Sequence, residues 1–394
     1  MNLQAQKAAL LAAGDVAGLM ALNKSLYGGF EMMARGYNGM ADALVTSDGV
    51  NPNDVWAEAQ SVVAERNNQR DRWVNLLTFG TSNVSENVWQ FGDNNDAVME
   101  KASEYGVPVA IRPEETGTAF GTPGDWYDVS ARLTFRAIAE MSSNQLAAIT
   151  NMALEADNKL IYRLVMERVF NPANVTFAEK GGSFTGYGFY NADGVVPPTY
   201  NANSFNGTHT HYRTSGAASV QSGDLDEIVT DFKSHGFGPE NGNTLLLFVN
   251  PVEAQAIRGF RHASGAAEDF VPSNGSRFFT SDKLYGTQPS ATWGPFSVIG
   301  AYNELLIIED TRIAVGYMVA LVSGGANVPT NPVALRQHKN MPGLRIFEGN
   351  RQDYPLVDSY FARFAGASIR QRGAGLVMQI TTNASYAAPS ALAI

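Results

Sequence analysis

The sequence predicts an α+β fold, in which a long hairpin and long helices accompany a core sheet of apolar strands. Residues 126–136 alternate apolar with polar side chains, as in a strand with one covered face. Residues 142–170 carry apolar residues at spacings of three and four, the pattern of a long amphipathic helix. Residues 244–249 form a wholly apolar run of the kind found in central strands. Helices between apolar strands of this type are typical of α+β and α/β cores.

Composition limits the classes of function. The chain has 394 residues, no cysteine and a net charge of −10. Without cysteine there are no disulfides, thiolate metal sites or cysteine nucleophiles, as in a protein made in a reducing cytoplasm. The negative charge argues against a protein built to bind nucleic acid. We find no apolar run long enough to cross a bilayer and no signal-peptide layout, so we expect no membrane partner.

Residues 1–75 are predicted to form a helical arm. Helices are expected at Leu3–Ala13 and Val16–Tyr27, and Asn53 is expected to cap a third helix that continues to Leu76. The second half of this third helix is strongly polar, so the arm is poorly built to fold alone and should dock along another surface. Residues 76–96 are rich in Gly and Asn and are interpreted as a connection.

Residues 97–136 are predicted to form a long two-stranded hairpin. Its outgoing limb is expected at 105–112 and its return limb at 126–136. Gly and Pro between 113 and 125 predict a flexible tip, with residues 116–123 mobile in free subunits and ordered on assembly. Two strands alone are marginal in water, so the hairpin needs a surface elsewhere in the chain or on a neighbouring subunit.

The long helix follows the hairpin. Ser142 and Gln145 have the spacing of a capping box, and Pro172 ends the helix. Residues 175–215 are Gly- and Pro-rich and are interpreted as loops and short strands at the surface.

A second helix is predicted at Ser222–His235, with His235 as its C-terminal cap. Asn250 and Pro251 begin a third helix after the apolar run. Further strands are expected at 296–299, 305–308, 313–321, 344–348, 360–367 and 368–380.

Candidate catalytic residues are scarce. His209 and His211 are the best metal candidates, because positions i and i+2 of a strand share a face. A closed site needs one or two further ligands that the sequence does not identify, and two polar loop histidines are the simpler interpretation. The glycines between 181 and 188 do not have dinucleotide-loop spacing. We therefore predict no catalytic residues, no cofactor and no metal.

Several charged and aromatic residues are candidate intersubunit contacts. Glu114 and Glu115 lie on the expected hairpin tip, and Arg370 and Arg372, with Arg363 nearby, are expected to pair with carboxylates or with neighbouring subunits rather than with phosphate. The predicted intersubunit residues are Arg112, Glu114, Glu115, Phe120, Trp126, Arg132, Arg136, Arg363, Arg370 and Arg372.

The order of elements over residues 75–382 resembles that of the major capsid proteins of tailed double-stranded-DNA bacteriophages, whose fold encapsulin shell proteins share. The hairpin, with residues 126–132 returning, is similar to the extended loop of that family, and 142–170 is similar to its spine helix. Phe248-Val249-Asn250-Pro251 resembles a strand-to-helix turn of the family's axial domain, and residues 365–378 resemble its closing strands.

The resemblance implies a division of the chain into segments. These are an N-terminal arm at 1–75, a connection into the peripheral domain at 76–96, the extended loop at 97–136, a peripheral domain at 137–215 with its spine helix at 142–170, an axial domain at 216–342, C-terminal peripheral strands at 343–382 and a tail at 383–394.

The resemblance also implies a non-enzymatic protein that self-assembles into pentamers and hexamers of an icosahedral shell around the double-stranded DNA of a tailed phage. The implied partners are copies of itself, scaffold, portal and decoration proteins, and non-specifically contacted DNA. The implied location is the virion capsid, assembled in the cytoplasm of a bacterial host. The alternatives are an encapsulin-like nanocompartment shell and an α/β metal enzyme that uses His209 and His211.

The sequence departs from some members of that family in a feature needed for covalent crosslinking. Some members of the family join subunits by an isopeptide bond from a lysine of the extended loop to an asparagine. Residues 102–132 contain no lysine. We therefore expect no crosslink of this type.

Overall fold

The computed structural model describes residues 46–90, 117–201, 203–275, 288–348 and 356–390, together with residues 101, 104 and 106. The helices predicted at Leu3–Ala13 and Val16–Tyr27 lie outside these residues, as does nearly all of the predicted outgoing limb. The chain divides into two compact units. Of the described residues, the smaller unit contains those up to Val63, in Val129–Leu154 and in Ile346–Phe361, and the larger unit contains the others.

Helix α1 spans Pro52–Leu77. Since it begins at Pro52, Asn53 lies within its first turn, and the prediction that Asn53 caps the helix is wrong. Proline suits this first position because its φ is already helical and its missing N–H would have no partner there. Strands β1 (Thr78–Thr81) and β2 (Ser85–Val88) follow, so the predicted connection contains two strands.

Strands β3 (Thr118–Gly121) and β4 (Asp125–Thr134) come next. A strand at the predicted return limb is confirmed as far as Thr134, and it pairs with the later strand Leu356–Ile369. The prediction that it continues to Arg136 is wrong. The chain instead enters helix α2 (Phe135–Glu140), because the Thr134 hydroxyl accepts a hydrogen bond from the Ala137 N–H, an N-cap interaction that favours a helix start.

Helix α3 spans Ser143–Phe170 and is the long helix of the sequence prediction. The capping box is confirmed: the Ser142 N–H donates to Gln145 Oε1 at 2.9 Å, and the Gln145 N–H donates to Ser142 Oγ at 3.4 Å. No described helix is both long and apolar enough to cross a membrane.

The remaining elements alternate short helices with strands. Strands β5 (Val175–Glu179), β6 (Gly182–Gly186) and β7 (Tyr212–Thr214) precede helix α4 (Ser222–Ser234), strand β8 (Thr244–Val249) and helix α5 (Pro251–Arg258). Then come β9 (Val271–Pro272), β10 (Thr292–Trp293), β11 (Phe296–Tyr302), β12 (Leu305–Glu309), β13 (Tyr317–Ser323), β14 (Val333–Gln337), β15 (Arg345–Glu348), β16 (Leu356–Ile369) and β17 (Gly375–Gln379).

An eight-stranded sheet forms the core of the larger unit. Its order is β10-β11-β12-β8-β13-β17-β7, and β9 pairs with β11. As predicted, β8 is central, parallel to β12 and antiparallel to β13. Its side chains alternate between two apolar clusters, with Leu245 and Leu247 packed with α4 residues on one face and Leu246 and Phe248 packed with α3 residues on the other.

The sheet pairing differs from the predicted division of the chain. Strand β17 pairs with β13, and β7 pairs with β17, although the prediction placed both in peripheral segments. Strand β14, predicted in the axial segment, instead pairs with β1 and β16 in a second sheet. Apolar patterning shows that a segment is a buried strand and does not show which strand it pairs with.

The prediction that residues 175–215 lie at the surface is wrong in part. Phe189, Tyr190, His211 and Tyr212 are buried within the larger unit. The short connection of β5 to β6 is a tight turn, in which Lys180 and Gly181 both have positive φ.

Candidate functional site at the base of the hairpin

The structure describes the base of the long hairpin. Strands β2 and β3 form an antiparallel ribbon, in which Val88 lies opposite Thr118 and Ser85 lies opposite Gly121. The two ends of the predicted hairpin, at Val88 and Thr118, therefore lie at neighbouring positions. Apart from residues 101, 104 and 106, the intervening residues 91–116 lie outside the described part.

Strand β3 is packed, so the prediction of a flexible tip is wrong for residues 118–121, and residues 113–116 lie outside the described part. Phe120 is buried and its ring meets Tyr187 edge-on, at 5.2 Å between centroids. Gly121 permits this packing, because a Cβ there would lie 2.9 Å from the Cβ of Phe184 and 3.0 Å from the ring of Phe177. Gly121 thus allows a close approach of β3 to the β5–β6 ribbon, and its presence does not indicate mobility.

The segment Arg370–Arg372 holds the outgoing end of the hairpin. The Gln371 amide donates to the Trp89 carbonyl at 2.9 Å, and the Gln90 amide donates to the Arg370 carbonyl at 2.9 Å. The Arg372 N–H donates to Gln90 Oε1 at 2.7 Å. These hydrogen bonds fix residues 89 and 90, the last described residues before the hairpin.

Arg370 is partly buried beside strand β2. Its guanidinium lies 3.7 Å from the carboxylate of Glu86 and 4.3 Å above the ring of Phe79, and it also donates to the Pro329 carbonyl. The prediction that Arg370 pairs with a carboxylate is confirmed.

Arg372 is almost completely buried inside the chain. Its guanidinium donates to the Gly188 carbonyl at 3.0 Å, the Phe189 carbonyl at 3.1 Å and the Asp193 carboxylate at 2.9 Å. A buried guanidinium is stable only when its N–H groups find acceptors, and these acceptors belong to the same chain. Arg372 therefore joins the segment before β17 to the loop after β6.

Arg336 holds the returning end of the hairpin, and the sequence prediction missed it. It forms a bidentate pair with Glu179, at 2.6 and 2.7 Å, and donates to the Thr122 carbonyl at 3.1 Å. The hydrogen bonds from Arg336 hold the pKa of the Glu179 carboxyl below its usual value. One side chain of β14 thus connects the β5–β6 ribbon to the turn between β3 and β4.

Arg363 is likewise internal. It lies on β16 and pairs with Asp157 of α3 at 3.2 Å, and both side chains are buried. Phe120, Arg363 and Arg372 are buried, and the contacts described for them lie within one chain.

Two of the predicted residues are exposed. The Trp126 residue is 49 % exposed and lies against Phe364 and His338, at 5.5 and 5.6 Å between ring centroids. The Arg136 side chain is 83 % exposed and pairs with Glu140 one helical turn away. Arg112, Glu114 and Glu115 lie outside the described residues, as does the side chain of Arg132.

The histidines are arranged differently from the prediction. His235 does end α4, since its N–H donates to the Asp231 carbonyl, but its ring also meets the rings of His209 and His211. His211 is fully buried, so the interpretation of two polar loop histidines is wrong for that residue. The third histidine is far away in sequence, and no local spacing pointed to it.

Comparison with solved structures finds similar chains in structures from phages and from a GTA particle. A structure from Mycobacterium phage Patience is 36 % identical, covers 88 % of this chain and 93 % of that chain, and has a TM-score of 0.66. The mature capsid of bacteriophage PhiM1 is 8 % identical, over 78 % of this chain and 86 % of that chain, at a TM-score of 0.47. The capsid of an empty GTA particle is 15 % identical, covers 79 % of this chain and 90 % of that chain, and has a TM-score of 0.46. No protein-family model and no curated protein matches the chain.

Proposed function

The chain belongs to the family of tailed-phage major capsid proteins, and from that premise we propose that it assembles into pentamers and hexamers of an icosahedral shell enclosing double-stranded DNA. The observation that carries the proposal is the agreement of both sequence and fold with the mycobacteriophage structure over most of both chains. Identical subunits joined by heterologous contacts close into rings, which supplies the capsomers of such a shell.

The base of the hairpin supports a role for residues 91–116 in joining subunits. Its outgoing end is bound by the segment Arg370–Arg372 and its returning end by Arg336. A two-stranded ribbon is marginal in water unless it packs on another surface. We infer that residues 91–116 lie on an adjacent subunit in the shell, and that the buried arginines fix the direction in which the hairpin leaves.

We therefore propose fewer intersubunit contact residues than were predicted from the sequence. Trp126 and Arg136 qualify by their exposure. Arg112, Glu114, Glu115 and Arg132 remain proposed contacts on the strength of their place in or beside the hairpin. Arg370 is proposed as a residue of the hairpin base, because its partners lie within the chain.

The domain assignment is also a proposal. We assign residues 1–75 to the arm, 97–136 to the extended loop and α3 to the spine helix of a peripheral domain. The eight-stranded sheet is assigned to the axial domain, and the pairing of β7 and β17 supports including both strands in it.

The proposed role as a shell subunit implies a set of partners. We propose contacts with scaffold, portal and decoration proteins, and a non-specific contact with packaged DNA, for which the net charge of −10 favours weak rather than tight binding. The protein would assemble in the bacterial cytoplasm and reside in the virion. We propose that it catalyses no reaction.

The phage origin of the 36 % identical structure favours a phage shell over an encapsulin-like compartment. Electron microscopy of the full chain, expressed alone and together with the proteins encoded beside it, tests the proposal. We expect capsomer rings or closed shells, and shell diameter separates a genome-sized head from a small compartment. Uniform monomers in every condition would overturn the assembly proposal.

A further inference from the structure

Three imidazole rings converge on one point in the larger unit. The Nε2 atom of His209 lies 2.9 Å from that of His235 and 3.0 Å from that of His211, and the His211 and His235 Nε2 atoms are 3.0 Å apart. Among the described residues, these form the one group of three or more His, Cys, Asp or Glu side chains placed to share an ion.

Hydrogen bonds among the three rings cannot account for this triangle. A neutral imidazole Nε2 either carries a proton and donates, or carries one lone pair and accepts. With three such atoms, at least two have the same role, so at least one of the three contacts brings together two protons or two lone pairs. Where that contact brings two lone pairs together, a cation bound between them relieves the repulsion.

The proton positions favour lone pairs that face one another. The His211 Nδ1 atom lies 2.7 Å from the Gly375 carbonyl oxygen, which only accepts, so Nδ1 carries the proton and Nε2 presents its lone pair to the triangle. A backbone carbonyl that binds the second ring nitrogen in this way is the usual outer partner of a metal-bound histidine, because it fixes the tautomer.

Protonation of the rings is an unfavourable alternative. Burial lowers the pKa of His235 to about 3 and that of His209 to about 4, and burial also holds the pKa of His211 well below its usual value. The nearby Arg213 guanidinium acts in the same direction on all three rings. Near pH 7 the rings are therefore neutral, which is the form that binds metal ions.

Aromatic packing holds the rings in place. The ring of His235 is stacked on that of Phe205, at 4.2 Å between centroids, and is nearly parallel to that of Tyr190. Phe205 also packs against His209. Three ligands held in position before the ion arrives lose little conformational freedom on binding it.

We propose that His209, His211 and His235 bind one divalent transition-metal ion, with Zn²⁺ as the natural occupant. The Nε2 triangle, with sides of 2.9–3.0 Å, has its centre ~1.7 Å from each corner, so a point ~1.1 Å off its plane lies at the Zn–N distance of about 2.0–2.1 Å from all three atoms.

The donor set limits the kind of ion. Three neutral imidazoles suit Zn²⁺, Cu²⁺, Ni²⁺ or Co²⁺, whereas Mg²⁺ and Ca²⁺ require oxygen ligands. Three protein ligands leave at least one coordination position for water. His209 is the least buried of the three, so solvent reaches the triangle from its side.

The ion would connect segments that are far apart in sequence. His209 and His211 precede β7, His235 ends α4, and His211 is hydrogen-bonded to the first residue of β17. Metal bound here would stabilise the β7 edge of the eight-stranded sheet. This inference does not depend on assembly, because every ligand lies in one chain.

Metal analysis of untagged full-length protein tests the proposal. After dialysis against Zn²⁺ and then against metal-free buffer, we expect about one ion per chain by mass spectrometry, and a Co²⁺ titration should give the visible d–d bands of a histidine site. His209→Ala should lose the ion and the bands. The matched control is His262→Ala, since His262 lies outside the cluster and its ring contacts the Ala266 carbonyl.

A second measurement uses the unaltered chain and so does not depend on a variant that folds. Chelation should lower the Tm by several degrees, and Zn²⁺ but not Mg²⁺ should restore it. The proposal is overturned if the unaltered protein holds no stoichiometric ion after Zn²⁺ loading. It is also overturned if His209→Ala and His262→Ala retain equal amounts of metal per chain. Binding to His209→Ala equal to that of the unaltered chain would place the ion elsewhere.

Discussion

Among the buried arginines, Arg336 and Arg372 hold the base of the hairpin, and Arg363 pairs with helix α3. Arg336, Arg363 and Arg372 are each almost completely buried and each binds a carboxylate of the same chain. Removal of one partner from a buried pair leaves a charge without compensation, which costs far more than loss of a surface pair. Their contribution is therefore to the folded subunit first, and to the shell only through it.

We expect Arg372→Met to lower the free energy of unfolding by about 1–3 kcal/mol, because two buried backbone carbonyls lose their donor and Asp193, which solvent reaches, loses its ion pair. Urea unfolding of the free subunit measures this change. The control is Arg136→Met, whose side chain is 83 % exposed and whose ion pair contributes at most about 0.5 kcal/mol. Equal losses in the two variants would contradict the internal role of Arg372.

Two separate glycine-to-alanine substitutions test the packing of β3. In Gly121→Ala the new methyl group would lie 2.9 Å from the Phe184 Cβ and 3.1 Å from the Thr185 backbone nitrogen, so we expect a loss of about 1–3 kcal/mol. Gly223→Ala is the matched control. No atom lies within 4 Å of its added Cβ, and alanine is favoured in helix α4. If unfolding shows both variants equally stable, β3 is not packed as described.

Among the elements, the start of helix α3 has a second cap supplied by a distant residue. The Asp48 carboxylate accepts hydrogen bonds from the Ser143 N–H at 3.1 Å, from the Ser143 hydroxyl and from the Thr46 hydroxyl. These hydrogen bonds lower the pKa of Asp48 to about 2. A carboxylate at a helix N-terminus also interacts favourably with the helix dipole.

This cap predicts a particular pH dependence. Because the pKa of Asp48 is lower in the folded chain than in the unfolded chain, its contribution to stability is present above about pH 4 and is lost as the pH falls towards 2. Asp48→Asn should therefore be less stable than the parent chain at pH 7, and the difference should shrink between pH 4 and pH 2. Urea midpoints across that range measure it; a difference that is independent of pH would contradict the assignment.

The hairpin is the element that can be removed without disturbing its base. Val88 and Thr118 face each other in the ribbon, so a short Gly-Ser linker in place of residues 91–116 can join the two ends. We expect the shortened chain to keep the circular dichroism and Tm of the free subunit and to form no shells by electron microscopy. Normal shells from the shortened chain would show that residues 91–116 do not join subunits.

At the scale of the whole molecule, we expect the proposed shell to be held by non-covalent contacts. Residues 102–132 contain no lysine that could form an isopeptide bond from the extended loop. Mature shells boiled in detergent should therefore run as a single band near the chain mass of 42.4 kDa on a denaturing gel. A ladder of covalent oligomers would contradict this expectation and would point to another lysine, such as Lys101 at the start of the predicted extended loop.

The sequence by itself determined the α+β class, helices α3 and α4, the central strand β8 and the caps at Ser142 and Asn250. These features depend on local periodicity and on side chains within one helical turn, so the residues that cause them are close in sequence. The arrangement of these elements also indicated the family. Where the prediction failed locally, as at Asn53 and Phe135, a neighbouring residue supplied a stronger helix start.

Only the tertiary structure decided which side chains meet. It placed Arg336 between Glu179 and Thr122, brought His235 to His209 and His211, buried Phe120 and joined β7 and β17 to the central sheet. In each case the partners are distant in the chain, and an arginine or a histidine has the same local pattern whether it faces water or a buried acceptor. The difference lies in the desolvation and pairing of the side chain, which depend on all the segments packed around it.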